Sequence, residues 1–134
     1  CIQKGGKAVI TDVLEYGEHC KKQGLNLLTG PGNDIVSTTN LTAAGANIIL
    51  FTTGRGTPLG ASVPTIKVSS NSRLAKRKSN WIDFNAGELI VSNDFENMTE
   101  EIFKLLIDIS SGRQTMNEQN GYRDISIFKD GVIM

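Results

Sequence analysis

Asn47-Ile48-Ile49-Leu50-Phe51-Thr52-Thr53, running into Gly54-Arg55-Gly56-Thr57-Pro58, is the stretch on which the fold turns. Its β-branched and aromatic centre reads as a strand. The unbroken apolar run from Ile48 to Phe51 predicts a central parallel strand covered on both faces, and the glycines and Pro58 end it in a loop. Working outward, Leu25-Asn26-Leu27-Leu28 and Thr65-Ile66-Lys67-Val68-Ser69 read as further strands, 7–10 as a short opening strand, and Trp81-Ile82-Asp83-Phe84 alternates in the manner of a strand. A helix is predicted over 12–23, where Val13, Tyr16, Gly17 and Cys20 fall at i, i+3, i+4 and i+7. That spacing sets Cys20 on the core side and His19 on a neighbouring face. The Thr- and Ala-rich segment 35–46 reads as a second helix, and 70–79 as a short basic helix or turn. Asn97 with Glu100 three residues on reads as a capping arrangement. Ile102, Leu105, Leu106 and Ile109 then form a buried stripe, with Gly112 placed to end the helix. Segments 123–128 and 132–133 around Asp130-Gly131 read as a hairpin. Strands alternating with helices predict an α/β fold: a Rossmann-like layered domain with a mainly parallel sheet and a C-terminal β-hairpin.

The 134 residues suit one domain. Apolar residues make up 39%, and 14 Lys+Arg balance 14 Asp+Glu at a pI near 6.8, an ordinary globular composition. Zero net charge speaks against a polybasic nucleic-acid binder, which works by displacing counterions, and against an acidic disordered tail. The longest apolar run is far short of the ~20 residues that span a bilayer. No basic segment precedes an apolar one in the manner of a secretory signal. Cys1 and Cys20 could pair, but so apolar a chain needs no such staple, and a reducing cytoplasmic setting is expected. The chain opens on Cys1 rather than Met and runs straight into patterned sequence, so it reads as a piece of something longer.

Ligands of open α/β sheets gather at the carboxyl ends of the strands, and three polar clusters fall there. In Gly30-Pro31-Gly32-Asn33-Asp34, free N–H groups at a helix start could hold a carboxylate or phosphate; equally, Asn33 or Asp34 caps the helix. Thr52-Thr53-Gly54-Arg55-Gly56-Thr57 combines two hydroxyls, a guanidinium suited to bidentate carboxylate binding, and glycines that admit a ligand close to the backbone. An ordinary surface loop with a solvated Arg is the competing reading. The cluster matches neither GxxxxGK[ST] nor GxGxxG, since Leu59 stands where the third glycine would be. Lys67 alternates with Ile66 and Val68 and so faces away from them, onto what reads as a solvated strand face; a partly buried Lys could instead act as a general base or anion partner. The basic run Arg73-Leu74-Ala75-Lys76-Arg77-Lys78 contains no aromatic residue and reads as a solvated helix face. One histidine, no CxxC, no HExxH and no GxSxG leave no marked metal or Ser-His-Asp site.

Beyond these patterns, the chain closely resembles the C-terminal region of a sugar-acid dehydratase family that includes altronate dehydratase, also called altronate hydrolase, and galactarate dehydratase. The matching stretches run in order almost end to end. They are Cys-Ile-Gln-Lys-Gly-Gly (1–6), Asp-Val-Leu-Glu-Tyr-Gly-Glu (12–18), Gly-Leu-Asn-Leu-Leu (24–28), Pro-Gly-Asn-Asp (31–34) and Leu-Phe-Thr-Thr-Gly-Arg-Gly-Thr-Pro (50–58). Val-Pro-Thr-Ile-Lys (63–67), Asn-Ser (71–72), Trp-Ile-Asp-Phe-Asn-Ala-Gly (81–87) and Ile-Phe-Lys-Asp-Gly-Val (127–132) complete the set. The resemblance implies that residues 1–134 are a single C-terminal domain of a longer enzyme, a hydro-lyase of sugar-acid catabolism. That enzyme would use Fe2+ to remove water from D-altronate, giving 2-dehydro-3-deoxy-D-gluconate. Galactarate or another hydroxy acid is the alternative substrate; a purely structural or oligomerisation role is the alternative for the domain. The full-length enzyme is expected to be a homo-oligomer acting on a small-molecule sugar acid, and the charge balance and apolar pattern above add no nucleic-acid or membrane partner. Arg55, Thr52 and Thr53 would bind the substrate carboxylate or a hydroxyl, Asp34 and Asn71 further hydroxyls, and Lys67 would assist proton transfer or pair with the anion. Few candidate iron ligands are present, so the metal is expected mainly in other sequence and the 134 residues alone are expected to be inactive; Cys1 opens one family-like motif, and a thiolate could ligate iron.

Overall fold

Helical spacing after Asp12 gives way to a strand. In a computed structural model of the chain, which describes residues 2–127, β1 runs Ile10–Leu14. It takes up the β-branched Ile10, Thr11 and Val13, and Leu14 turns inward to be buried. Gly17, counted as part of the helical face, holds φ at +82° instead, a left-handed conformation that an α-helix does not contain. The opening strand therefore lies later than 7–10. β2, Leu25–Leu28, forms as read and pairs in parallel with β1, with Leu14 opposite Leu28. The following helix, α1, spans Asp34–Ala43. Asn33 is its N-cap, its Oδ1 accepting the Ile35 N–H at 3.2 Å. Asn40, buried within α1, accepts the Gly17 N–H on Oδ1 at 3.0 Å and donates from Nδ2 to the Thr29 carbonyl at 2.9 Å. One side chain thus ties the helix to the β1–β2 link and to the end of β2. Cys20 sits in that link rather than on a helix, and His19 packs over Gly45, where an added Cβ would come within 3.1 Å of the imidazole. These elements belong to one of two compact units, Cys1–Asn47 with Ile125–Met134; the other is Ile48–Asp124.

In the second unit the central strand is not the one expected. β3 (Ile49–Thr53), β4 (Thr65–Ser69) and β5 (Phe84–Asn85) make a parallel sheet in that order, so β3 lies at an edge and Leu50 is 47% exposed. All five residues of β4 are buried. An unbroken apolar run does not distinguish edge from centre; β4 is central although three of its five side chains are polar. Ile66 and Val68 pack with Leu105 and Ile109, and the half-buried Ile102 and Leu106 complete the stripe read from sequence. A second helix, α2, spans Ser72–Arg77, and a short helical turn, α3, spans Leu89–Ser92. The amphipathic helix is α4, Phe95–Ser110. Its N-cap is Asp94, which accepts from the Asn97 N–H at 3.1 Å; Asn97 itself lies inside the helix and donates to Glu101. Gly112, at φ +104°, follows the C-cap as expected. Trp81 and Ile82 return their N–H groups to the Lys78 carbonyl, so only the end of the expected 81–84 strand enters the sheet.

Asp83 locks the sheet to the last short helix, α5 (Met116–Gln119). Its Oδ2 accepts the Lys67 N–H and its Oδ1 the Met116 N–H, each at 2.7 Å. Burial raises the carboxyl above its ordinary value, opposed by these two bonds and by the Arg113 and Lys67 charges. All strand pairings among the described residues are parallel, in two short sheets of a mixed α/β fold; they go no further toward the Rossmann-like layering. The turn and second strand of the expected C-terminal hairpin lie outside the described residues, and 122–127 form no strand.

Two substitutions test these ties. Asn40→Leu leaves the Gly17 N–H and the Thr29 carbonyl unpaired and is expected to cost about 1–3 kcal/mol for each, read by urea unfolding. A loss below about 0.5 kcal/mol would show that solvent replaces the amide. Asp83→Asn keeps one acceptor oxygen for two N–H groups and should destabilise by about 1–3 kcal/mol. Because the Asp83 carboxyl titrates higher when folded than when unfolded, the folded state holds the extra proton between the two values. Stability contributed by this group therefore falls as pH rises through that window, from near 3.8 upward, and is level on either side. The Asn variant should lack that slope, and an unchanged pH profile would refute the assignment.

Candidate functional site

The strand ends of the second unit are built as a network of short polar side chains. Thr53 Oγ1 accepts the Gly56 N–H at 3.0 Å, folding back the loop that carries Arg55; Gly56 holds φ at +83°. Ser69 Oγ donates to the Asn71 carbonyl at 2.7 Å. Asn71 caps α2 by accepting the Leu74 N–H at 2.8 Å, and its Nδ2 donates to the Gly54 carbonyl at 3.1 Å. Asn85, at the end of β5, donates to Ser72 Oγ and to Glu88. Each of the three parallel strands thus hands its last residues to the same set of loops. Their backbones approach so closely that a Cβ on Gly87 would lie 2.3 Å from the Ser72 nitrogen.

Above this network lies a cavity of about 390 Å³ lined by Gly54, Arg55, Asn71, Arg73, Leu74, Arg77 and Lys78. Arg73 and Arg77 are one helical turn apart on α2 and share a side of it. Lys78 is held with its Nζ 4.0 Å from the Trp81 ring centroid, a cation–π contact. Among the described residues, no acidic residue lines the cavity. Arginine side chains lining a concavity with a Gly backbone at its wall are residue types that suit a carboxylate or phosphate.

Of the residues singled out from the sequence, Arg55 and Asn71 come together here. Thr53 supports the loop from beneath, and Thr52, exposed on β3, does not line the cavity. Asp34 lies in the first unit, exposed in the first turn of α1, where a carboxylate favours the helix dipole. Lys67 does face away from Ile66 and Val68, but not into solvent: its exposure is 0%, and its Nζ lies 3.6 Å from the ring centroid of Phe51, its partner across the ladder. The basic run 73–78 reads as a solvated face, and Arg73 and Arg77 are exposed, but with Lys78 they also line the cavity. The i, i+4 spacing of the two arginines, just after a strand end, was the signal that could have placed them. Among the described residues no three His, Cys, Asp or Glu side chains gather as a metal site, and no helix is long and apolar enough to cross a membrane. Cys1 lies outside the described residues.

A mixed α/β chain whose parallel strand ends carry a cavity lined, among the described residues, by three arginines and a lysine is the class that fold and site define. The chain belongs to the family described as D-galactarate/altronate dehydratase, C-terminal, which matches residues 1–133. It is 49% identical over 134 residues to altronate dehydratase of Escherichia coli (strain K12) and 47% identical over 136 residues to altronate dehydratase of Bacillus subtilis (strain 168). Both matches cover all of this chain and 27% of the relative, so the chain spans about a quarter of their length. Galactarate dehydratase (L-threo-forming) of Escherichia coli (strain K12) is 35% identical, over 98% of this chain and 26% of the relative.

Gly87→Ala is the direct test of the strand-end packing. The added methyl meets backbone on Asn71 and Ser72, which cannot swing away. Destabilisation of about 1–3 kcal/mol is expected in thermal unfolding; wild-type stability would show that these loops are not in contact.

Proposed function

We propose that this chain is the substrate-side portion of a sugar-acid dehydratase that removes water from D-altronate to give 2-dehydro-3-deoxy-D-gluconate. The observation that carries the reading is the cavity in which Arg55 stands with Arg73, Arg77 and Lys78 and, among the described residues, no acid. The two altronate dehydratases at 49% and 47% identity support altronate over galactarate, whose dehydratase is 35% identical. Elimination next to a carboxylate requires loss of the α-proton as the neighbouring hydroxyl departs, and negative charge spreads onto the carboxylate as the proton leaves. Arg55 holds that carboxylate through its fork and stabilises the growing charge. Asn71 positions Arg55 and α2 through its bonds to Gly54 and Leu74, and its remaining amide hydrogen is available to a substrate hydroxyl.

Lys67 enters as a positioning residue. Its enclosed ammonium braces β3 against β4 two residues before Thr53, and proton transfer would require substrate to reach a side chain with no exposed surface. Ferrous iron, implied by the resemblance, finds no fitting donor set among the described residues, and no step here runs through it. Cytoplasmic location, expected from the cysteine usage, and self-association, implied by the resemblance, belong to the same reading.

Release of 2-dehydro-3-deoxygluconate from D-altronate, assayed anaerobically with ferrous iron, tests the reaction in the full-length protein beside the 134 residues. Turnover by the longer protein alone is expected. Arg55→Lys in that protein trades a bidentate contact for a point charge, and kcat/KM should fall about 10- to 100-fold, the equivalent of a lost charge-assisted hydrogen bond. Unchanged kcat/KM would remove Arg55 from the site.

A further inference from the structure

Helix α4 carries more apolar surface than the sheet covers. Ile102, Leu105, Leu106 and Ile109 pack with Ile66 and Val68, and one such stripe is what a core-facing helix needs. Yet Phe95, Phe103 and Ile107 follow at i, i+8 and i+12 along a second row, and all three are exposed. In α3, Leu89, Ile90 and Val91 are consecutive and none is buried, Val91 being 90% exposed. Asn93, at φ +51° the one non-glycine residue in the left-handed region among the described residues, turns the chain between the two helices. Leu89 before that turn and Phe95, Met98 and Ile102 after it line a cavity of about 190 Å³ with Phe84 and Ala86. Single apolar residues are ordinary on a surface, but a set sharing one helix row and one concavity marks a contact with other protein.

We propose that the face formed by α3 and α4 is the surface on which this chain docks against the rest of a longer polypeptide. The altronate dehydratases to which it is 49% and 47% identical are matched over 27% of their length, so about three quarters of a protein of that size lies outside these 134 residues. The margin of the face disfavours the other simple occupant, a second copy of this chain. Glu100 lies beside Phe103 on the helix, Glu96 one turn before it, and Lys104 is the one cation in α4. A two-fold copy would set that acidic margin against itself. The complementary surface is therefore apolar at its centre and carries Lys or Arg at its edge. The proposal goes beyond the dehydratase reading: it needs a longer polypeptide and no particular substrate.

Thiol labelling reads this out. Val91→Cys and Phe103→Cys are made singly, in the 134-residue chain and in the full-length protein. Maleimide incorporation at each position is followed by peptide mass spectrometry, against the same variant unfolded in urea. Both positions are exposed in the chain alone, so both substitutions should be tolerated and should label there within about 3-fold of the unfolded rate. In the full-length protein the rate should fall at least ~10-fold at both positions. Adding Ile107→Glu, which sets a charge within the face, should leave thermal unfolding of the 134-residue chain unchanged and restore fast labelling of Val91→Cys in the full-length protein. Fast labelling of both positions in the folded full-length protein, without Ile107→Glu, overturns the proposal. So does equal protection in the 134-residue chain at the same concentration, which is the result a second copy would give. None of these readouts needs altronate turnover, so failure of the dehydratase reading and failure of the docking face are told apart.

Discussion

The carboxylate of Asp83, with one oxygen on the Lys67 N–H and the other on the Met116 N–H, holds the second unit together at its centre. Without it the N–H of a buried strand residue and the first N–H of α5 would face each other unpaired. Asp83 in turn donates its own N–H to the Lys67 carbonyl at 3.0 Å, so the segment entering β5 is stitched to β4 from both sides. Burial works against the ionised form of this group.

From that fixed strand the site follows. β4 ends at Ser69, which ties to Asn71; Asn71 caps α2 and reaches Gly54; and Gly54 leads to Arg55. The helix that carries Arg73 and Arg77 is therefore capped by the same amide that bonds the β3 loop. Gly87 lets the β5 end close against Asn71 and Ser72, where any side chain would push the loops apart. Neutral residues do the positioning, and among the described residues the cations beside them form no ion pair. That separation of labour is what makes a cationic cavity possible in a chain whose formal charge is zero.

Much of this architecture was legible in residue patterns. The α4 stripe of Ile102, Leu105, Leu106 and Ile109 needed only the 3.6-residue period, and the strands at 25–28 and 65–69 only β-branched and leucine runs between turn residues. Arg55 and Asn71 could be nominated as site residues because their types and their place after strands suit anion binding. The helix expected over 12–23 failed because a four-position match included Gly17, which supplies no apolar contact and adopts a left-handed backbone. The Asn97–Glu100 spacing points to a cap at Asn97; Asp94 holds the same relation to Asn97 and begins the helix one turn earlier.

Local chemistry alone thus determined which segments extend, which coil and which loops carry charge, because those properties depend on neighbours within a few positions. Tertiary structure decided which strand is central and which lysine is enclosed. Burial depends on what packs across the sheet: Lys67 is covered though flanked by hydroxyls, while Leu50 is left at an edge. Only the folded chain could bring Arg55 into one cavity with Arg73, Arg77 and Lys78. The loop after β3 and the helix after β4 meet because parallel strands point their carboxyl ends the same way.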